Sequence, residues 1–136
     1  MKRSQLARII DHTLLKPEAT PAEIEQLCEE ALRYRFASVC VNPSYVPLAA
    51  VKLAETEVAV CTVIGFPLGA TTTTAKICEA EQALDDGATE LDMVLHIGAL
   101  KAGERDRVRE DIAAVATACH EGGGLLKVII ETALLD

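Results

Sequence analysis

Four times along this chain a short run of apolar, largely β-branched residues is followed within a few positions by an amphipathic helical stripe. That alternation leaves few architectures open, because strands separated by helices pair most readily as βαβ units in a parallel sheet. The first helix opens at Thr20-Pro21-Ala22-Glu23, with Thr20 as N-cap, proline at the first helical position and Glu23 placed to close a capping box. Behind it Ile24, Leu27, Cys28, Ala31 and Leu32 repeat at the spacing of a helix laid on a core. Residues 38–41 then read as a strand ended by Asn42-Pro43, and residues 45–55 as a helix that tolerates Pro47 in its first turn. A strand over 57–66 stops at the turn Gly65-Phe66-Pro67-Leu68-Gly69. Thr71 to Thr74 supply N-caps for a helix with Ile77, Ala80 and Leu84 on one side, ending at Gly87. A strand over 89–95, a helix from residue 104 burying Val108, Ile112, Val115 and Cys119, and a strand over 125–131 complete the series. With residues 9–13 counted, five strands are expected.

Two α/β outcomes compete. A doubly wound sheet of the dinucleotide-binding type should carry a G-x-G-x-x-G turn after its first strand, and no such turn is present. The better expectation is a wall of a (β/α)8 barrel, a fold that takes about 250 residues when complete. Residues 1–136 are therefore expected to form one incomplete TIM-barrel domain of the α/β class, whose outer strands are open edges that invite self-association. Assembly with further copies of the chain is expected through those edges; the core is aliphatic, since aromatics make up 3% of the chain and there is no Trp.

The net charge of −8 repels a phosphate backbone, and no Lys/Arg cluster interleaved with aromatics offsets it, which argues against nucleic-acid and anionic-membrane partners. The longest apolar run, 58–66, is about half of the roughly 20 residues a membrane helix needs. Arg8 and Asp11 interrupt the N-terminal run before it becomes a signal peptide, so a cytoplasmic location is expected. Five scattered cysteines without a C-x-x-C pair argue against a disulfide framework or a zinc site, and each is expected to be a small buried apolar residue.

Strand parity selects the residues that can carry chemistry. Glu90, Asp92 and Val94 share one face and Leu91, Met93 and Leu95 the other; since the apolar face should meet helices, Asp92 is expected to point into the barrel near its C-terminal mouth. A carboxylate buried for stability alone is the competing reading. Parity likewise sends Lys127 and Glu131 inward, and an inward lysine needs an acidic partner, for which Asp92 on the neighbouring strand is the candidate. Lys127 reads better as a positioning cation than as a nucleophile. Cys40 shares the inward face with Ser38, where packing is the commoner role. Asp11-His12-Thr13 forms a compact polar cluster, equally open to local backbone capping. Gly122 to Gly124 follow a helix rather than precede one, which fits a chain reversal better than a phosphate cradle.

Five segments together resemble one family. Ile10-Asp11-His12-Thr13-Leu14-Leu15-Lys16-Pro17, Ser38-Val39-Cys40-Val41-Asn42-Pro43, Val63-Ile64-Gly65-Phe66-Pro67-Leu68-Gly69, Glu90-Leu91-Asp92-Met93-Val94 and Leu126-Lys127-Val128-Ile129-Ile130-Glu131-Thr132 are similar to successive motifs of deoxyribose-phosphate aldolase, in that family's order and spacing. The resemblance implies a (β/α)8 class I aldolase, without metal or other cofactor, that reversibly splits 2-deoxyribose 5-phosphate into acetaldehyde and glyceraldehyde 3-phosphate through a lysine imine. It implies that Asp92 is the proton-relay carboxylate, that Lys127 helps to hold it ionised, and that Asp11, Thr13 and Cys40 line the pocket. It also implies a departure: the family's imine-forming lysine and phosphate-binding loops come after the last motif seen here, so these 136 residues by themselves are expected to be inactive. A non-catalytic partial barrel that assembles through its open edges is the alternative from another class. A barrel lyase acting on a different sugar phosphate ranks third.

Overall fold

The computed structural model describes residues 2–135 and shows five parallel strands in the order β1-β2-β3-β4-β5. They are β1 (Asp11–Leu14), β2 (Ser38–Val41), β3 (Ala59–Ile64), β4 (Glu90–Val94) and β5 (Leu125–Ile129). Helices α1 (Arg3–Ala7), α2 (Pro21–Tyr34), α3 (Val46–Lys52), α4 (Thr73–Asp85), α5 (Ile97–Lys101) and α6 (Arg105–Glu121) precede or connect them. Sequential strand order decides between the two α/β outcomes. With right-handed crossovers, strands added always on the same side keep the connecting helices on one face, whereas a doubly wound sheet must reverse its order. The helix-facing side is the main core: Val39, Val41, Ile64, Leu91 and Met93 meet Ile24, Ala31, Ala80 and Val115, all buried.

The local signals act as expected in α2. Thr20 accepts a hydrogen bond from the Glu23 backbone N–H, while the Glu23 carboxylate accepts from the Thr20 N–H at 2.8 Å. The 65–69 turn closes over the end of β4, and Gly69 has no alternative there. Its φ is +65°, and a Cβ would lie 2.1 Å from the Leu95 carbonyl oxygen.

Several boundaries differ from expectation. The first strand is Asp11–Leu14 rather than 9–13, and β3 is Ala59–Ile64 rather than 57–66, because Gly65 turns away with φ +62° and gives its N–H to Glu79. The last strand stops at Ile129, and Glu131 has a left-handed backbone (φ +54°) and is exposed, so it does not share an inward row with Lys127. The five-residue helices α1 and α5 were not foreseen, being too short to show a periodic stripe. Four cysteines are buried, but Cys78 is exposed on α4.

Candidate active site

The face of the sheet turned away from the helices carries the polar residues. Register places Cys40 opposite Cys61, Cys61 opposite Glu90, Val63 opposite Asp92, and Asp92 opposite Lys127. Parity then turns Cys40, Cys61, Glu90, Asp92 and Lys127 to one side. Lys127 is the hub. Its Nζ lies 2.7 Å from Glu90 and 3.0 Å from Asp11, donating a hydrogen bond to each, 3.3 Å from Asp92 Oδ1 and 3.8 Å from Cys61 Sγ.

The Asp11 contact reports on curvature. Asp11 and Lys127 lie on the two edge strands, and four steps of about 4.8 Å would separate those strands by about 19 Å in a flat sheet. A lysine and an aspartate cannot bridge such a gap, so the sheet must curl as the wall of a barrel does. Ser38, fully buried, donates from its hydroxyl to the other Asp11 oxygen at 2.7 Å and completes the tether.

Charge follows from these contacts. Burial pushes the Lys127 ammonium toward neutrality, but the Glu90 hydrogen bond, the Asp11 hydrogen bond and the charge of Asp92 outweigh it and hold its pKa above the ordinary lysine value. Burial likewise raises the Asp11 carboxyl, yet the Ser38 and Lys127 hydrogen bonds prevail and lower it. The Cys40 thiol, burial and the charge of Asp92 together push the Cys61 thiol up.

Asp92 is held differently from its neighbours. Its Oδ1 is buried and has no hydrogen-bond partner among the described residues, since Lys127 lies within ion-pair distance but out of line for a hydrogen bond. A buried carboxylate oxygen left in this condition is available for a water or a substrate proton.

All five residues singled out from the sequence belong to the strands that form this face, and Asp11, Asp92 and Lys127 meet directly. Cys40 packs beside Cys61 and Val63 rather than on the ammonium. The Thr13 hydroxyl turns to the Asp11 carbonyl oxygen at 2.8 Å, which is backbone capping, not a contact with Lys127. Glu90, Cys61 and the Ser38 link to Asp11 were not anticipated as parts of the cluster. Parity had already put Glu90 beside Asp92, so its signal was present; nothing local marked Cys61. A separate concavity of about 970 Å³, lined by Arg8, Arg35, Glu57 and Val58 among others, lies away from this cluster and shares none of its side chains.

Comparison with known proteins converges on one group. Residues 6–136 match the model of the DeoC/LacD family aldolases. Deoxyribose-phosphate aldolase 2 of Staphylococcus aureus (strain N315) is 58% identical over 130 residues, which cover 96% of this chain and 58% of that protein. Among the solved structures that share the fold are two that illustrate this. One, from Coccidioides immitis and provisionally assigned as a deoxyribose-phosphate aldolase, has a TM-score of 0.96 at 43% identity, covering all of this chain and 53% of the other. The tetrameric deoxyribose phosphate aldolase of Aeropyrum pernix gives 0.90 at 34% identity, covering 99% of this chain and 56% of the other. The chain thus spans a little over half the length of the relatives it matches.

Proposed function

Because this chain belongs to the DeoC/LacD aldolase family, we propose that it serves the reversible class I cleavage of 2-deoxy-D-ribose 5-phosphate to acetaldehyde and glyceraldehyde 3-phosphate. In this reading residues 1–136 form one incomplete barrel domain and supply the proton-transfer wall of the site, without metal.

The observation that carries the reading is the buried Asp92 Oδ1, without a hydrogen-bond partner among the described residues, beside a clamped ammonium. In class I chemistry a lysine amine condenses with the substrate carbonyl and releases water; the protonated imine then takes the electron pair of the breaking carbon–carbon bond while the adjacent hydroxyl gives up its proton and becomes the aldehyde of glyceraldehyde 3-phosphate. The resulting enamine carbon must then be protonated, and imine hydrolysis returns the amine and acetaldehyde. Asp92, holding a water at its free oxygen, can pass that proton in either direction.

Lys127 is not the imine-forming amine. A nucleophilic amine must be neutral, and Lys127 is kept charged by three carboxylates. Lys76 is enclosed in the helix layer, and Lys16 is exposed beyond β1. These 136 residues by themselves are accordingly expected to show no turnover. Self-association belongs to the same reading, since β1 and β5 present open edges and the Aeropyrum pernix relative is tetrameric. Among the described residues no helix is long and apolar enough to cross a membrane.

Two measurements test this. Treatment with acetaldehyde and borohydride, followed by peptide mass spectrometry, should leave Lys127 and Lys16 unmodified; a substrate-dependent adduct on either would overturn the assignment. Joining these residues to the remaining portion of the Staphylococcus aureus relative should yield retro-aldol activity, reduced by about 10²-fold or more by Asp92→Asn. Full activity of that variant would remove Asp92 from the mechanism.

A further inference from the structure

We propose that Cys40, Cys61 and Asp92 form a binding site for a thiophilic divalent cation, zinc being the physiological candidate, and that occupancy withdraws Asp92 from proton transfer. The binding claim rests on geometry; only the inhibitory consequence rests on the aldolase reading above.

The three residues come from three neighbouring strands, yet Cys40 Sγ, Cys61 Sγ and an Asp92 carboxylate oxygen all lie within 4.8 Å of one another. A tetrahedral ion with metal–sulfur bonds of about 2.3 Å holds its sulfurs about 3.8 Å apart, so the set must close by only about 1 Å. Two thiolates and one carboxylate suit zinc or cadmium and leave a fourth position open, as in sites that keep an exchangeable ligand.

The second observation is Asp92 itself. Its Oδ1 is shielded from solvent and lacks a hydrogen-bond partner among the described residues, so one donor atom is already desolvated and unsatisfied. Charge also allows the ion to enter. A divalent cation binding two thiols displaces two protons to solvent, so cation and thiolates add no net charge. Lys127 can release both Asp92 and Cys61, whose Sγ lies 3.8 Å from its Nζ, because Glu90 at 2.7 Å and Asp11 at 3.0 Å continue to hold the ammonium.

Cadmium, titrated under a phosphine reductant, is the direct probe because thiolate-to-cadmium charge transfer absorbs in the ultraviolet. The titration uses a Cys78→Ser background, since Cys78 is exposed and would capture cadmium by itself. The expected result is a charge-transfer band that saturates at one equivalent, disappears on adding excess zinc, and is lost in Cys61→Val. Asp92→Ala keeps both thiols and should weaken binding by at least about tenfold. Absence of the band in the parent chain, its persistence after Cys61→Val, or unchanged affinity in Asp92→Ala would each overturn the site. None of these readouts uses catalysis, so failure of the aldolase assignment leaves the site standing. Conversely, loss of the site leaves the role of Asp92 in proton transfer to its own test.

Discussion

Two lysines divide this molecule into two kinds of interior. Lys76, on α4, has no solvent exposure and makes one ion pair, 2.6 Å to Asp111 on α6, while also donating to the Val94 carbonyl oxygen at 3.0 Å. Thr73 completes that pair by donating to the other Asp111 oxygen at 2.7 Å. Lys127, on the opposite side of the sheet, is 35% exposed and faces three carboxylates. The first arrangement is closed and balanced, one cation against one anion with every neighbour hydrogen-bonded. The second is open, carries excess negative charge, and leaves one carboxylate oxygen without a hydrogen-bond partner among the described residues. An enclosed pair can only hold α4, α6 and the end of β4 together, whereas an open and unbalanced cluster can exchange a proton or accept a cation.

Breaking the enclosed pair should have the largest effect. Lys76→Met keeps the apolar stem but strands Asp111 and the Val94 carbonyl, and should cost about 3–5 kcal/mol in urea unfolding. Pairing it with Asp111→Leu should recover most of that loss, because no unpaired buried charge remains. If the single variant unfolds like the parent chain, the proposed contrast between the two lysines fails.

Lys127→Met should cost less, about 1–2 kcal/mol by the same measurement, since water already reaches the cluster and screens the three carboxylates. A loss as large as that of Lys76→Met would show that the inner face is sealed in solution. Unlike Lys76, Lys127 should not be rescued by neutralising one partner, because two carboxylates would still face each other.

The smallest effect concerns acid. The folded-state pKa of Asp11 lies below its ordinary value of 3.8, so its contribution is fully present above that value and lost as pH falls through the lower folded value. Comparing parent and Asp11→Asn by unfolding at a series of pH values should give a stability difference that is constant near neutrality and shrinks below about pH 4. A difference that grows on acidification would reverse the sign of the assigned shift.

Much of the helix-facing architecture was legible in the chain because its signals are local. The capping box at Thr20 and Glu23, the stripe from Ile24 to Ala31 and the β-branched run at β3 each depend on residues a few positions apart. Parity, also local, put Glu90 and Asp92 on one face. Parity misjudged Glu131 because a turn into left-handed backbone ended the strand first, and α5 escaped notice because one helical turn has no period. The site itself was less legible. Lys127 and Asp11 are 116 positions apart and meet only because five strands curl; Lys76 and Asp111 are 35 apart and meet only because α4 packs on α6.

The sequence alone therefore determined the five strands and the helices α2, α3, α4 and α6, which way each strand side chain points, and, through five ordered motifs, which family this chain resembles. Tertiary structure decided which inward residues touch. Periodicity specifies a direction relative to a strand axis, but sheet curvature, register and helix packing set the distances between axes, and the grouping of Cys40, Cys61, Asp92 and Lys127 depends on those distances.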